Sequence, residues 1–532
     1  MGIAKDLIDK QAKLQTDRST FEQHWAEISP LVLTRQDDFF DKHSTQGERR
    51  TKEKFDDTAS LAAERGAAAI EGVLIPRGQK WHGIKLPDEI AKDHESQIWA
   101  DNVRDFLFKM RYNSKANFAS QAHEYIMGLL VFGTSVMSVE DIIGHGIKYR
   151  NLHLSEHYIM ENSRGMIDVN YRKYEMTAKQ AKEKFGENAP KSVEKCLEKE
   201  PNKKLPFLHV VMPDEDGASE LPFASYHVSI EDNEMIGDVG GFKSFPYIIS
   251  RWLTAPNETY GRSIAMTLLS EIKMLQQIRK TDIRARHHAV DPPILAADQH
   301  TIRKLSMKPG AINFGTLDMN GNPLVKPYQS GSSINVSNDI IEQSRTLIND
   351  AFFVNLFQIL VDSPQMTATE VLQRAQEKGT LLAPNAGRQM TEWLGPMIDR
   401  EIGIYEDYGV FEDDGILPMP EAVKSMGGEF EVEYTNPLTK MQNAEDALST
   451  ERVVQSLLPF SELGVLDKID FNAYADIMHE ANGAPAKLFK SDEALAEQQE
   501  QKAQQEQMQQ MVQAAPQVAG AIKDIAQAES FE

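Results

Sequence analysis

His153-Leu154-Ser155-Glu156-His157 has the H-x-x-E-H spacing in which two imidazoles hold a zinc ion and a glutamate acts as base. That chemistry needs a helix, which puts both rings on one face. The residues that follow, Tyr158-Ile159-Met160 and Glu161-Asn162-Ser163-Arg164-Gly165, read instead as a strand and a turn. On a strand the two histidines share a face but lie ~13 Å apart, too far for one metal. Gly128 to Ser135 mimics the phosphate-binding pattern G-x-x-x-x-G-K-[ST], with Thr134 where the lysine belongs. Its glycines also end a helix and precede a strand, the reverse of the required order. Cys196 sits in a Lys/Glu-rich helix with nothing beside it to activate a thiolate. His287-His288 close a basic run, and the acidic pairs Asp37-Asp38 and Asp413-Asp414 lack the His or Lys that a two-metal site would want. The expectation is therefore no catalytic residue, no metal, no cofactor and no enzymatic activity.

The elements around these residues are those of an ordinary globular chain. The protein has 532 residues, 41% hydrophobic and 26% charged, enough for two to four domains. A single cysteine excludes a disulfide framework or a Cys-rich zinc module. The longest apolar stretch, Tyr125–Met137, is interrupted by Gly128 and Gly133 and falls short of the ~20 residues of a membrane span, so no membrane partner is expected. Net charge is −23, and residues 401–532 alone carry −18. Such a balance excludes a general nucleic-acid binder, whose affinity comes from neutralising phosphates. Residues 262–310 run the other way, with nine basic and four acidic side chains. Arg279, Lys280, Arg284 and Arg286 cluster there near the end of a helix. They could meet DNA or an acidic partner, or simply suit the helix dipole on a solvated face.

Apolar spacing predicts a mainly helical α+β fold. Residues 1–135 read as helices, one keeping its period up to Pro30, others over Ala59–Leu74, Ile98–Arg111 and Ala116–Phe132, with Gly133 as a C-cap. From Ser135 to Trp252 the period drops to two, predicting an antiparallel, meander-like sheet interrupted by one charged helix, Ala178–Leu197. A long helix is expected over Ser263–Arg286, stopped by Asp291-Pro292-Pro293. Short strands and turns follow to 335, then a second helix over Asp339–Leu360. Thr367-Ala368-Thr369-Glu370 spells a capping box, in which Thr367 caps the backbone and Glu370 reaches back. The helix it opens meets Pro384 and resumes over Met390–Tyr405. Residues 440–532 read as helical and acidic, ending in a stretch, Gln498–Gln513, that holds nine glutamines in sixteen residues.

This order resembles the portal (head-to-tail connector) proteins of T7-like short-tailed bacteriophages over roughly residues 10–480. The resemblance rests on Phe245-Pro246-Tyr247-Ile248-Ile249-Ser250-Arg251-Trp252 running through Glu258-Thr259-Tyr260-Gly261-Arg262-Ser263 into the long helix. It also rests on Asp291-Pro292-Pro293, on Lys308-Pro309-Gly310-Ala311-Ile312-Asn313, and on Met366 to Val371 with Leu394-Gly395-Pro396 downstream, besides Gly133 and the strand after it. It implies a portal-type subunit: a wing over 1–262, stem helices over 263–290 and 338–360, and a β-containing clip over 291–337. A tunnel loop follows over 361–366 (Asp362, Ser363, Pro364, Gln365, Met366), then a kinked helix with the rest of the wing over 367–440. A helical crown over 441–497 and the Gln-rich tail, 498–532, complete it. It further implies a homododecameric ring at one capsid vertex of the virion, assembled in the host cytoplasm. Implied partners are the major capsid protein, scaffold protein, large terminase subunit, tail adaptor proteins and internal core proteins. Double-stranded DNA would pass along the axis without sequence-specific contact. On the residues alone, another virion structural protein such as an internal core protein, or a soluble hydrolase, stays open.

Overall fold

The computed structural model describes residues 2–36, 39, 54–87, 89–90, 93–142, 146–291, 294–296, 306, 311–314, 316–327, 334–354, 383–426, 431–436, 439, 450–457, 459, 469–471 and 474–475. In chain order the elements used below are α1 (Ile3–Asp17), α2 (Ser19–Val32), α3 (Thr58–Leu74), β1 (His82–Lys85), α4 (His94–Arg111), α5 (Phe118–Phe132), β2 (Thr134–Ile142), β3 (Gly146–Leu152), β4 (His157–Glu161) and β5 (Ile167–Thr177). Then come α6 (Ala178–Phe185), α7 (Lys191–Lys199), β6 (Lys204–Pro213), β7 (Phe223–Ser229), β8 (Glu234–Met235), β9 (Gly240–Phe242), β10 (Tyr247–Arg251), α8 (Ile264–Thr267) and α9 (Leu269–Val290). The last are β11 (Ile294–Ala296), β12 (Val325–Pro327), α10 (Ile334–Ala351), α11 (Gly395–Asp407), α12 (Glu421–Ser425) and β13 (Glu431–Tyr434). Two compact units interleave along the chain, 1–77 with 114–400, and 78–113 with 401–532.

In the first unit the expected meander is present. Strands β4-β5-β6-β7-β8 form one antiparallel sheet with β9 on β7. Period-two alternation gives this sheet two apolar faces. Tyr171, Leu208 and Val210 pack with Ala4 and Leu7 of α1 on one side. Tyr174, Leu205 and Phe207 pack with Ala178, Ala181 and Val193 of α6 and α7 on the other. A smaller sheet, β10-β2-β3, is packed with the apolar α5, in which Tyr125 to Phe132 are all buried.

Four expected elements differ in detail. Helix α2 runs past Pro30 to Val32, because Pro30 lies so near the end that little ladder is lost and Leu33 N–H still bonds the Ser29 carbonyl at 3.0 Å. The single helix over 178–197 is two, α6 and α7: Gly186 turns out of the first at φ 55°, and Pro190 caps the second. The long helix begins as the single turn α8 before α9. The helix expected over 339–360 spans Ile334–Ala351, and Phe353 leaves it in the left-handed region at φ 62°. Phe352 there is fully buried, and its carbonyl lies so close to Gly66 of α3 that a Cβ on Gly66 would sit 2.4 Å from it. The resumed helix over Met390–Tyr405 is present with a wide π turn over Met390–Leu394, which relieves the ring of Pro396 just beyond.

The second unit pairs β1 with β13 in antiparallel register, His82 opposite Tyr434. Helix α4 packs on β1, and its Trp99 donates to the Leu417 carbonyl at 3.3 Å.

Candidate functional site

Among the described residues, the most constrained geometry is where the body of the first unit passes into the α9–α10 hairpin. Gly133 ends α5 in the left-handed region at φ 81°, and Gly261 lies against it. A Cβ on Gly133 would fall 2.4 Å from the Gly261 carbonyl oxygen, and one on Gly261 2.2 Å from that of Gly133. The two backbones can touch because both side chains are absent. Trp252 N–H donates to the Gly133 carbonyl at 2.8 Å, and Gly261 N–H to Thr134 Oγ1 at 2.8 Å. The residues that mimic a phosphate loop thus receive the chain leading to α8. Ser263 then caps α8 at Met266 N–H (2.9 Å) while donating to the Val131 carbonyl (2.8 Å).

Arg251 is the polar counterpart of this contact. Its backbone N–H and its guanidinium both reach Glu392 at 2.9 Å, and the guanidinium also meets Glu161 and the Gly165 carbonyl at 2.8 Å each. Tyr125 donates to Ser250 Oγ, Ser250 donates to Gln389 Oε1 (both 2.8 Å), and Gln389 donates back to the Arg251 carbonyl at 2.9 Å. One buried arginine therefore ties β10, the β4–β5 turn and the helical segment before α11 together through charge-assisted bonds.

The hairpin is held by a second set. Asp56, just before α3, accepts from Thr58 N–H (2.9 Å) and binds Arg345 of α10 at 2.7 Å. Gln276 of α9 clamps the same segment, accepting from Phe55 and Asp56 N–H at 2.7 and 2.9 Å and donating to the Asp56 carbonyl at 2.6 Å. Ile272 and Leu275 of α9, with Ile341 and Ile348 of α10, are buried.

The four basic residues singled out in the sequence sit on α9, but not as one open cluster. Arg279 and Arg286 both bind the buried Asp282, at 3.0 and 2.9 Å, and Arg286 also donates to Asn338 at 2.7 Å. Lys280 lies 5.3 Å over the Phe55 ring. Arg284 is exposed. Asp362, Ser363, Pro364, Gln365, Met366, Thr367 and Glu370 lie outside the described residues, as do the Gln-rich tail, most of the segment expected as crown and part of that expected as clip.

The H-x-x-E-H residues are absorbed by the fold. His153 contacts Ser155 Oγ (2.7 Å) and the Gln36 carbonyl (3.1 Å), Glu156 binds Arg172 (3.0 Å), and His157 meets Asn170 (3.1 Å). Among the described residues no group of three or more His, Cys, Asp or Glu is arranged to hold a metal.

His157 belongs to a buried set with His209 and His227, whose rings stack 4.2 Å apart. Burial, then neighbouring positive charge, holds all three neutral. Burial and Arg172 push His157 down, and burial and His227 push His209 down. Burial and Lys184 bring His227 to about 4, from 6.5. Arg18 and His153 also act on His157, and Tyr247 lies against both His157 and His209. The unfolded chain takes up these protons first, so the stability they contribute is present above pH 6.5 and is lost as pH falls towards about 4. Each group costs up to about 1.4 kcal/mol per pH unit in that window. Melting should therefore drop between pH 7 and pH 5, and His227→Phe should reduce the drop. An equal drop in both proteins would refute the assignment.

Gly261, Arg251 with Glu392, and Asp56 with Arg345 were not predicted as functional. The glycine and arginine stand inside the stretches that carry the resemblance, which was the available signal. Comparison with known proteins agrees with it. The family model described as bacteriophage head to tail connecting protein matches residues 4–489. The portal protein of Salmonella phage epsilon15 is 24% identical over 515 residues, covering 93% of this chain and 90% of its own. The probable portal protein of Bordetella phage BPP-1 is 25% identical over 500 residues, covering 91% and 88%. A solved chain from the neck of a native GTA particle, computed with C12 symmetry, overlays with a TM-score of 0.33 at 10% identity, over 73% of this chain and 89% of that one. A match spanning nearly the whole chain settles the family: this protein belongs to the bacteriophage head-to-tail connecting proteins.

Proposed function

We propose that the chain is a portal subunit: a structural, non-catalytic component of a ring at one capsid vertex, through which viral DNA is packaged and ejected. The observation that carries this is membership of the connector family over residues 4–489, with both named phage relatives aligned over about nine-tenths of this chain. In this reading residues 1–262 with part of 367–440 form the wing, α9 and α10 are the stem, and the β11–β12 pair is the base of the clip. Residues 361–366 are the tunnel loop, and the crown lies beyond 440. The ring docks the large terminase subunit during packaging and the tail adaptors afterwards. It contacts the major capsid, scaffold and internal core proteins, and resides in the virion. Among the described residues no helix is long and apolar enough to cross a membrane.

The electrostatics support a conduit. In this reading a chain of net charge −23 forms a wall that repels phosphate, and Asp282 offsets one of the four positive charges at the end of α9 by binding both Arg279 and Arg286. DNA can pass such a wall without being gripped. Purified protein imaged in negative stain should show rings with a central hole, of mass twelve times that of the 59.9 kDa chain, and should hydrolyse no ATP. A stable monomer, or turnover that follows the protein through purification, would overturn the proposal.

A further inference from the structure

One row of side chains crosses the large sheet from β4 to β7. His157 stands opposite Arg172, Arg172 opposite His209, and His209 opposite His227. Cross-strand partners lie about 5 Å apart on one face, so four basic groups stand there in line. Two elements cover them. Tyr247 of β10 lies over the first part, its ring 5.5 Å from His157 and 5.7 Å from His209. Helices α6 and α7, inserted between β5 and β6, cover the rest. Phe185 meets the His227 ring edge-on at 5.6 Å, and Lys184 donates to the Tyr174 hydroxyl at 3.2 Å.

The histidines are not held alike. His209 is bonded at both nitrogens, to the Tyr247 hydroxyl at 2.6 Å and to Ser225 Oγ at 2.9 Å, and His157 Nδ1 meets Asn170. His227 Nδ1 is buried without a hydrogen-bond partner among the described residues, so it has the most to gain from water. The charges around the row already lean positive. Arg172 is paired with Glu156, and Lys184 and Arg150 stand against Glu140. Arg18 and His153 add to this at the His157 end, while burial keeps Tyr174 and Tyr247 un-ionised. A proton on His227 adds a charge beside Lys184 and against the His209 ring stacked 4.2 Å away. Elsewhere the two helices are tied at their ends. Asp232 accepts from Ser192 N–H and Oγ at 3.3 and 2.5 Å, and Ala178 N–H bonds the Lys203 carbonyl at 3.0 Å.

We infer that the pair α6–α7 is a lid with an acid-sensitive latch. Neutral His227, stacked on His209 and covered by Phe185, holds the lid down. A proton on His227 lets it lift and bares the apolar face of Tyr174, Leu205, Phe207 and Ile236 beneath. The latch lies wholly within the first unit and does not depend on the portal reading. Its sign follows from the shift. Burial and Lys184 bring His227 to about 4 when closed, against 6.5 in water. Opening therefore takes up a proton, and the open fraction grows as pH falls below 6.5 and levels off near 4. Between pH 7.5 and 5.5 one such histidine multiplies that fraction about tenfold.

Cys196 of α7, the chain's one cysteine, packs against the same apolar cluster and so reports the lid. The measurement is its rate of reaction with dithiodipyridine, a disulfide reagent active in acid, divided by the rate of a cysteine peptide at the same pH. Both pH values stand above the isoelectric point of about 5.1. From pH 7.5 to 5.5 the normalised rate should rise about tenfold in the full-length parent and about twofold or less in His227→Phe and in His227→Gln. Far-ultraviolet spectrum and tryptophan emission should not change. A parent rate that ignores pH, or an equal rise in either folded variant, would overturn the latch. So would a rise that comes only with loss of those spectra, because the whole unit is then unfolding.

Discussion

Arg111→Ala is expected to cost the second unit about 3–5 kcal/mol, the usual penalty for orphaning a buried charge. Arg111 meets both oxygens of Glu401, at 3.0 and 2.6 Å, and neither side chain has more than 1% of its surface exposed. The same guanidinium touches His82 Nε2 at 2.8 Å and lies 4.7 Å over the Trp81 ring. Burial and the Arg111 charge hold His82 neutral in the parent protein. Removing the arginine leaves a carboxylate in an apolar setting. Hydrogen exchange of the β1–β13 amides should accelerate by two to three orders of magnitude. Replacing both members, Arg111→Met with Glu401→Leu, should recover most of the loss because no charge is then stranded. Unchanged protection in Arg111→Ala would refute this account.

Gly133→Ala and Gly261→Ala should each be severely destabilising, for reasons that differ by position. At 133 an alanine must hold the left-handed conformation, at about 1–2 kcal/mol, and also push its methyl into the Gly261 carbonyl. At 261 the contact alone operates, against the Gly133 carbonyl and the Arg251 Cβ, 2.2 and 2.9 Å from the added atom. Overpacking of that kind typically costs about 1–3 kcal/mol. The approach to α8 must then shift, so ring yield should fall with melting temperature. Gly165→Ala is the control: its φ is 77°, yet nothing lies within 4 Å of the added atom. If Gly133→Ala is no worse than Gly165→Ala, the close approach is not what the glycine provides.

The sequence made local features legible. Gly133 could be seen as a helix cap because the apolar run before it stops there. The meander could be seen because each strand alternates against its neighbour in the chain. What closes the structure was hidden by distance. Nothing around Gly133 points to Gly261, and nothing in His82–Lys85 points to Glu431–Tyr434. Arg251 was visible as a motif letter, whereas its role depends on Glu161 and Glu392 arriving from both directions along the chain. The basic run on α9 is less open than its composition suggests, for a reason present in the sequence itself. Asp282 stands three residues after Arg279 and four before Arg286, the spacings at which side chains meet on a helix.

The interleaving of the two units sets an order of events during synthesis. Strand β1 and helix α4 leave the ribosome early, but β13 and the residues beyond 400 that complete their unit follow roughly 350 residues later, on the order of half a minute at about 5–20 residues per second. Until then Trp81 and Trp99, both buried in the finished unit, have no completed core to enter. The first unit contains most of the intervening chain and can close before its companion. Its closure shortens the effective loop between β1 and β13, and with it the entropy opposing their pairing. The late unit is thus where a nascent chain is most exposed to chaperones, to proteases, and to the many identical chains that a virion-forming cell makes at once.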